Sequence, residues 1–142
     1  MKQITSFTIN HDYLKPGMYI SRVDGDVITY DLRMKLPNNP AGDYLEDNAL
    51  HTFEHLFATY VRNTPLSDGV VYVGPMGCRT GFYFLTRNTV SGADAFGWCR
   101  KLYSMYWTSP ARSPAASGRN AATIWLTIWR VPRQWLGSIS PF

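Results

Sequence analysis

A helical stripe of large apolar side chains in the middle of the chain constrains the fold most. These side chains recur at intervals of three and four residues: Leu50, Phe53, Phe57 and Tyr60. This is the spacing of one helix face, and such a face must be buried against another layer of the protein. We predict a helix that begins at Asp47 or Asn48, either of which can cap it, and that ends at Thr64-Pro65.

The same helix carries an H-x-x-E-H pattern beside its apolar stripe. His51 and His55 are four residues apart, so both imidazoles project from one face and can bind one metal ion. Glu54 lies on the same side, where a carboxylate can act as a general acid and base on a metal-bound substrate. On spacing alone, a metal-ligand pair competes with an ordinary surface or core pair of histidines. Glu54 alone would be an ordinary carboxylate on a helix surface.

Strict alternation of apolar and largely polar residues from Asp26 to Met34 predicts a strand. One side of it is apolar and the other largely polar, with Ile28, Tyr30, Leu32 and Met34 opposite Val27, Thr29, Asp31 and Arg33. Four shorter runs also predict strands: Ile4–Ile9, Met18–Val23, Gly69–Val73 and Gly81–Thr86. Ser91 can cap a second helix. This order of elements predicts an α+β fold, a mostly antiparallel sheet packed by helices on one face.

A cysteine lies in the glycine-flanked turn P-M-G-C-R-T-G-F-Y, which enters an aromatic strand. The turn amides, a nearby metal cation and Arg79 would stabilise the thiolate of Cys78, which would then be a second acid and base. A lone cysteine before a strand is more often a small buried apolar residue. The nine-residue context of Cys78 reverses that order and favours the acid and base.

Length and composition narrow the class of protein. A chain of 142 residues suits one domain with a modest core. No apolar run predicts a signal peptide or a membrane span, so we expect no membrane partner. Two cysteines without a secretory signal favour a reducing, cytoplasmic compartment over a disulfide framework.

The composition changes abruptly near Ala95. All ten acidic residues and all three histidines precede it, and all five tryptophans follow it. Residues 1–94 hold eight Lys and Arg, whereas residues 95–142 hold six and no acidic residue. The net charge of +4 therefore comes from the second part, which no ordinary domain boundary explains. The stretch Ser109–Ser117 is of low complexity, and we predict an irregular or poorly ordered C-terminal tail.

The H-x-x-E-H helix and the cysteine turn together resemble the S-ribosylhomocysteine lyase (LuxS) family, from Ser6 to about Asp94. The resemblance implies cleavage of the small-molecule substrate S-ribosylhomocysteine to homocysteine and 4,5-dihydroxy-2,3-pentanedione, the precursor of autoinducer-2. It implies that His51 and His55 hold Fe(2+), with Zn(2+) as a substitute and one ion per subunit, to polarise the sugar carbonyls. Glu54 and Cys78 would then be catalytic and move protons. Family members are homodimers with the active site at the subunit interface, so we expect a homodimer.

The resemblance also implies substrate-binding residues. Ser6 in S-F-T, His11 in N-H-D and Arg33 in D-L-R match positions that hold the substrate, and Asp31 on the same strand face would orient Arg33. Without the resemblance, Ser6 would be a strand-surface residue and Arg33 a solvated charge. The chain departs from many relatives at Tyr72, where they carry an Asp six residues before the cysteine.

The family's third metal ligand is a cysteine in a late motif similar to C-G-N-Y-x-x-H-x-L-x-x-A, and this chain has no such motif. Codons permitted for residues 120–132, read one nucleotide out of frame, give C-G-N-Y-L-A-H-D-L-E-G-A. We therefore hypothesise a frameshift near Ala95. Residues 1–94 would be the in-frame, LuxS-like lyase domain, and 95–142 an out-of-frame tail with no independent domain and no role for Cys99. The literal chain would lack the third ligand and the helix that covers the sheet, so we expect its activity to be impaired.

Three alternatives remain at this point. The literal chain can be a non-functional, frameshifted remnant with an exposed apolar sheet face. H-x-x-E-H is also a metallopeptidase pattern, but those enzymes need a further downstream carboxylate, and only Asp68 and Asp94 follow Glu54. A basic tail with interleaved tryptophans is typical of nucleic-acid binding. The reading-frame hypothesis explains that composition better, so we expect no nucleic-acid partner.

Overall fold

The computed structural model describes residues 11, 12 and 14–108, with side chains as far as Leu102. The elements within this part are β1 (Gly17–Asp24), β2 (Val27–Arg33), α1 (Asp47–Arg62), a short 3-10 helix (Ser67–Gly69), β3 (Val70–Pro75), β4 (Gly81–Arg87) and α2 (Gly92–Thr108). The predicted strand Ile4–Ile9 and the predicted irregular tail beyond Thr108 lie outside the described residues.

The strands form one four-stranded sheet in the order β1-β2-β4-β3, and all three pairings are antiparallel. Strand β2 pairs with β1 through a tight turn in which Gly25 has a φ of +60°, a conformation that glycine adopts without strain. The pairing of β2 with β4 is not local in sequence and sets Leu32 opposite Phe82 and Tyr30 opposite Phe84. The predicted α+β fold with an antiparallel sheet is confirmed.

Both helices pack on the same face of the sheet. Phe57 of α1 and Trp98 of α2 each contact the ring of Phe84, with ring centroids 5.1 and 6.1 Å apart. Phe53 of α1 packs on Phe82 at 4.8 Å. Aromatic side chains bury large apolar areas, so this contact fixes α1 across the centre of the sheet.

The ends of the helices differ in how they are capped. The N-cap of α1 is Glu46, with no capping bond from its side chain, so our expectation that Asp47 or Asn48 caps this helix is wrong. The start of α1 is instead held by backbone contacts to a neighbouring turn, described below. The prediction for Ser91 is confirmed, because its hydroxyl accepts a hydrogen bond from the Asp94 amide at 3.1 Å.

Helix α2 continues past the composition change, to Thr108. Ala95, Cys99 and Leu102 are all buried in the core, since their spacing of four and three residues places them on one helix face. Our expectation that the literal chain lacks the helix covering the sheet is therefore wrong. The sequence after Ala95, as it stands in this chain, keeps enough apolar residues at the right spacing to pack.

In the described part of the chain, no helix has the length and apolar character needed to cross a membrane.

Candidate active site

The turn between β3 and β4 presents Cys78 at the surface. It closes through two backbone hydrogen bonds of 2.9 Å, from the Met76 amide to the Gly81 carbonyl and from the Arg79 amide to the Met76 carbonyl. Arg79 has a φ of 56°, which is uncommon for a residue with a side chain. Gly81 admits the close approach of β2, because a Cβ there would lie 2.2 Å from the Leu32 carbonyl oxygen.

This turn is bound to the beginning of α1. The Leu45 amide donates to the Arg79 carbonyl at 2.9 Å. The Arg79 guanidinium lies 3.7 Å from the Asp47 carboxylate and 5.9 Å from the centre of the Tyr44 ring. The backbone bond is the firmer contact, because the Arg79–Asp47 pair is exposed and such pairs contribute little. The H-x-x-E-H helix and the cysteine turn thus meet at one end of the fold.

A buried polar chain leads from β2 to Cys78. Arg33 Nη2 donates to Asp31 Oδ2 at 2.5 Å, and the side chains of the two residues are only 5% and 8% exposed. Arg33 Nη1 donates to the hydroxyl of Thr80 and lies 3.9 Å from Cys78 Sγ. Thr80 Oγ1 is 3.0 Å from Cys78 Sγ. The cation that faces the sulfur is therefore Arg33, and our expectation that Arg79 stabilises the thiolate is not supported by where its guanidinium lies.

The pKa of Asp31 is raised above its ordinary value. Burial raises the pKa of this carboxyl, and the hydrogen bond and charge of Arg33, together with the charge of His11, oppose that shift without cancelling it. The charge of His11 therefore acts on this carboxyl. Asp31 Oδ1 and Arg33 Nε are buried with no hydrogen-bond partner among the described residues. Unpaired buried polar atoms are costly, so these two atoms lower the stability of the fold.

Two tyrosines flank the Asp31–Arg33 pair from neighbouring strands, since Tyr19 and Tyr83 are both register partners of Asp31. Burial and the Asp31 charge raise the pKa of both phenols, and Arg33 opposes the shift. The phenols therefore stay neutral hydrogen-bonding groups at physiological pH. The second face of the sheet is thus lined with polar groups near the cysteine turn.

His51 and His55 lie side by side on α1, with both side chains exposed. Their Nε2 atoms are 2.9 Å apart and their ring centroids 4.5 Å apart. Two nitrogens that bind one tetrahedral ion at about 2.1 Å are separated by about 3.4 Å, so a small rotation of either ring would let the pair share a divalent metal. The observed separation is that of a direct hydrogen bond between the rings. No group of three or more metal-binding side chains occurs within the described residues. Glu54 is half-buried on the same helix.

The residues that the sequence singled out fall into two groups in the structure. Asp31, Arg33 and Cys78 form one cluster with His11 near it, and His51, Glu54 and His55 share α1, whereas Ser6 lies outside the described residues. Sequence analysis missed Thr80, which is fully buried. Its position two residues after Cys78 was the available signal, because alternate residues entering a strand project to the same side.

Comparison with known proteins identifies the family of the chain. A family model described as S-Ribosylhomocysteinase (LuxS) matches residues 4–123, so the match continues past Asp94, where we expected the resemblance to stop. A Clostridium acetobutylicum protein named S-ribosylhomocysteine lyase is 40% identical over 125 residues, which cover 84% of this chain and 78% of the relative.

Two further relatives carry the same name. The protein of Phocaeicola vulgatus is 50% identical over 99 residues, covering 66% of this chain and 60% of the relative. The protein of Desulfotalea psychrophila is 51% identical over 109 residues, which cover 73% of this chain and 67% of the relative. From the extent of these matches, the chain belongs to the S-ribosylhomocysteinase (LuxS) family.

Proposed function

We propose that this protein is a metal-dependent carbon–sulfur lyase that cleaves S-ribosylhomocysteine to homocysteine and 4,5-dihydroxy-2,3-pentanedione. The observation that carries the proposal is the joining of the cysteine turn to the start of α1 through the Leu45 and Arg79 backbone bond of 2.9 Å. This contact ties the turn that carries Cys78 to the start of the helix that carries the two imidazoles, which supports their proposed use in one site. The names of the matched relatives supply the substrate.

The chemistry assigns a role to each group. Cys78 and Glu54 are the proton-moving residues, because shifting a carbonyl along a sugar requires a proton to leave one carbon and reach its neighbour at each step. Arg33 Nη1 lies 3.9 Å from the Cys78 sulfur, which puts a cation beside the proposed base. Ser6, His11, Asp31 and Arg33 bind the substrate.

His51 and His55 would hold the metal ion, which we propose is Fe(2+), with Zn(2+) as a substitute and one ion per subunit. When bound, such an ion supplies Lewis-acid polarisation of the sugar carbonyl. The 2.9 Å separation of the two Nε2 atoms supports this assignment. We further propose that the protein is a cytoplasmic homodimer in the activated methyl cycle and that its product is the precursor of a quorum-sensing signal.

We also propose that the literal chain is impaired. Two imidazoles hold a divalent ion less tightly than the three protein ligands of a catalytic site. The described residues offer no group of three. The reading-frame hypothesis supplies the missing cysteine in a frame-restored chain, and the same hypothesis leaves the literal chain as a remnant.

The test measures release of homocysteine from S-ribosylhomocysteine, followed with a thiol reagent, by the literal and frame-restored chains after Fe(2+) loading without oxygen. We expect the restored chain to release homocysteine and its Cys78→Ala and His51→Ala variants to lose most of that activity. The literal chain should be at least about a hundredfold slower, since loss of metal affinity and of Lewis-acid catalysis multiply.

Each comparison addresses one part of the proposal. An inactive restored chain that is folded and metal-loaded would contradict the lyase assignment. Full activity and stoichiometric metal in the literal chain would contradict the impairment and the missing-ligand hypothesis. Activity that survives Cys78→Ala would remove the thiol from the chemistry.

A further inference from the structure

We propose that Thr80 positions the thiol of Cys78. It holds the sulfur toward the substrate side of the turn and beside the Arg33 guanidinium. This inference rests on the proposed function for its catalytic meaning, although the contact itself does not depend on it. Thr80 is fully buried, and its hydroxyl lies between the Arg33 guanidinium and the Cys78 sulfur.

The direction of the hydrogen bonds follows from the donor inventory. Arg33 can only donate, so the Thr80 oxygen must accept from Nη1. The single hydrogen of the hydroxyl then remains for another acceptor, and Cys78 Sγ lies 3.0 Å from Oγ1. A thiolate at this position accepts a charge-assisted hydrogen bond, which is stronger than a neutral one.

The same hydroxyl suits both forms of the sulfur. Oγ1 has two lone pairs, of which Arg33 occupies one. When Cys78 takes a proton from a substrate carbon, its S–H can donate to the other lone pair. When Cys78 gives the proton back to the next carbon, the hydroxyl donates to the thiolate again. Only a hydroxyl hydrogen has to turn, and the heavy atoms stay in place through each transfer.

Thr80 is itself held on both sides. Its β-branched side chain is restricted at χ1, and its backbone carbonyl accepts from the amides of Met34 and Lys35 at 2.8 and 2.9 Å. Arg33 is fixed in turn by Asp31 at 2.5 Å. The exposed thiol is therefore tied to a rigid, buried chain of Asp31, Arg33 and Thr80. A direct bond from Arg33 to the sulfur is weak, because the separation of 3.9 Å is long.

The experiment measures alkylation of Cys78 by iodoacetamide at about pH 7.5, with the modified residue read by peptide mapping, since the thiolate is the reacting species. Full-length variants Thr80→Val, which removes only the hydroxyl, and Thr80→Ser, which keeps it, are compared. Thr86→Val is the matched control, because Thr86 is equally buried at the other end of β4. Far-UV circular dichroism reports whether each variant is folded.

We expect Thr80→Val to slow alkylation by about tenfold or more, the loss expected for a hydrogen bond to a charged group. Thr80→Ser and Thr86→Val should remain within about threefold of the parent chain. If Thr80→Val is unfolded, Thr80→Ala is compared with Thr80→Ser, which differ by the oxygen alone. Equal rates for the parent and the hydroxyl-free variant overturn the proposal, and so does a Ser variant as slow as Val.

A second readout ties the contact to turnover. In the frame-restored chain, Thr80→Val should lower kcat for homocysteine release while KM changes little, and Thr80→Ser should restore kcat, because a positioning residue acts on the proton transfers. A rise in KM at constant kcat overturns the positioning role. Alkylation needs neither metal nor substrate, so a positive alkylation result with no lyase activity would count against the proposed function and leave the Thr80 contact standing.

Discussion

Replacing Arg33 by methionine tests the buried ion pair at the centre of the site. The side chains of Arg33 and Asp31 are 5% and 8% exposed, and Arg33 Nη2 lies 2.5 Å from Asp31 Oδ2. Breaking such a pair by removing one partner costs about 3–5 kcal/mol, because the remaining charge stays buried. Asp31 Oδ1 already has no hydrogen-bond partner among the described residues. We therefore expect Arg33→Met to lower the free energy of unfolding by about 3–5 kcal/mol.

The double variant Asp31→Leu, Arg33→Met is the matched comparison. An apolar pair of similar volume leaves no buried charge, so its penalty should be at least about 2 kcal/mol smaller than that of Arg33→Met alone. Urea unfolding followed by far-UV circular dichroism measures each free energy. An equal loss of unfolding free energy in the single and double variants would refute the argument that the charge is buried and paired. A loss under about 1 kcal/mol in the single variant would refute it too.

The stability penalty of Arg33→Met should depend on pH. Burial raises the pKa of Asp31 above its ordinary value of 3.8, and Arg33 opposes that shift, so removing Arg33 raises the pKa further. A carboxyl with a raised folded-state pKa stabilises the fold below its unfolded pKa and loses that stabilisation as pH rises through the folded value. The penalty of Arg33→Met should therefore be smaller at about pH 5 than at about pH 8. A penalty that is the same at the two pH values would contradict the reasoning.

Three further predictions concern packing and thiol chemistry. Gly81→Ala should destabilise the fold by about 1–3 kcal/mol in a urea titration, because the added Cβ would lie 2.2 Å from the Leu32 carbonyl oxygen; an unchanged midpoint would contradict this. Phe57→Ala should cost about 3–5 kcal/mol, since the ring is fully buried in the core, and a loss below about 1 kcal/mol would show that α1 does not pack as described. Burial raises the pKa of the Cys99 thiol from 9.0 to about 12. Iodoacetamide at about pH 8 should therefore modify Cys78 and leave Cys99 unmodified, as read by mass spectrometry. For the same reason the free energy of unfolding should fall as pH rises from 9.0 towards about 12.

The periodic parts of the fold could be predicted from the sequence because their repeat reports which side is buried. Alternation from Asp26 to Met34 predicted β2, and the stripe through Phe57 predicted α1. The predicted boundaries differ from the observed ones by only a few residues. The H-x-x-E-H spacing likewise placed both imidazoles on one side of α1.

The interior of the site could not be predicted in the same way. Asp31 and Arg33 were assigned to the polar face of their strand, which usually faces solvent, yet both are buried. Their burial depends on the non-local pairing of β2 with β4, which sets Arg33 opposite Gly81 and beside Thr80. A single sequence does not report that pairing, so the direct neighbours of Cys78 emerged only from the structure.

For helix α2, the composition predicted less order than the structure has. The loss of acidic residues after Ala95 argued against an ordered segment. Charge composition governs the solvent face of a helix, whereas packing requires only apolar residues at the right spacing. Ala95, Cys99 and Leu102 provide that spacing. The reading-frame hypothesis stays a prediction, and Cys99 and Leu102 belong to the core of the chain in its present sequence.

The most direct test of the lyase account is the reaction of the frame-restored chain with S-ribosylhomocysteine in deuterium oxide, with both products identified by mass spectrometry. Elimination preceded by carbonyl migration adds solvent hydrogen to carbon, so the account predicts homocysteine together with a pentanedione that carries carbon-bound deuterium. Release of homocysteine with an intact ribose and no deuterium on carbon would contradict it, because cleavage would then be hydrolytic and the proton-moving roles of Cys78 and Glu54 would be wrong.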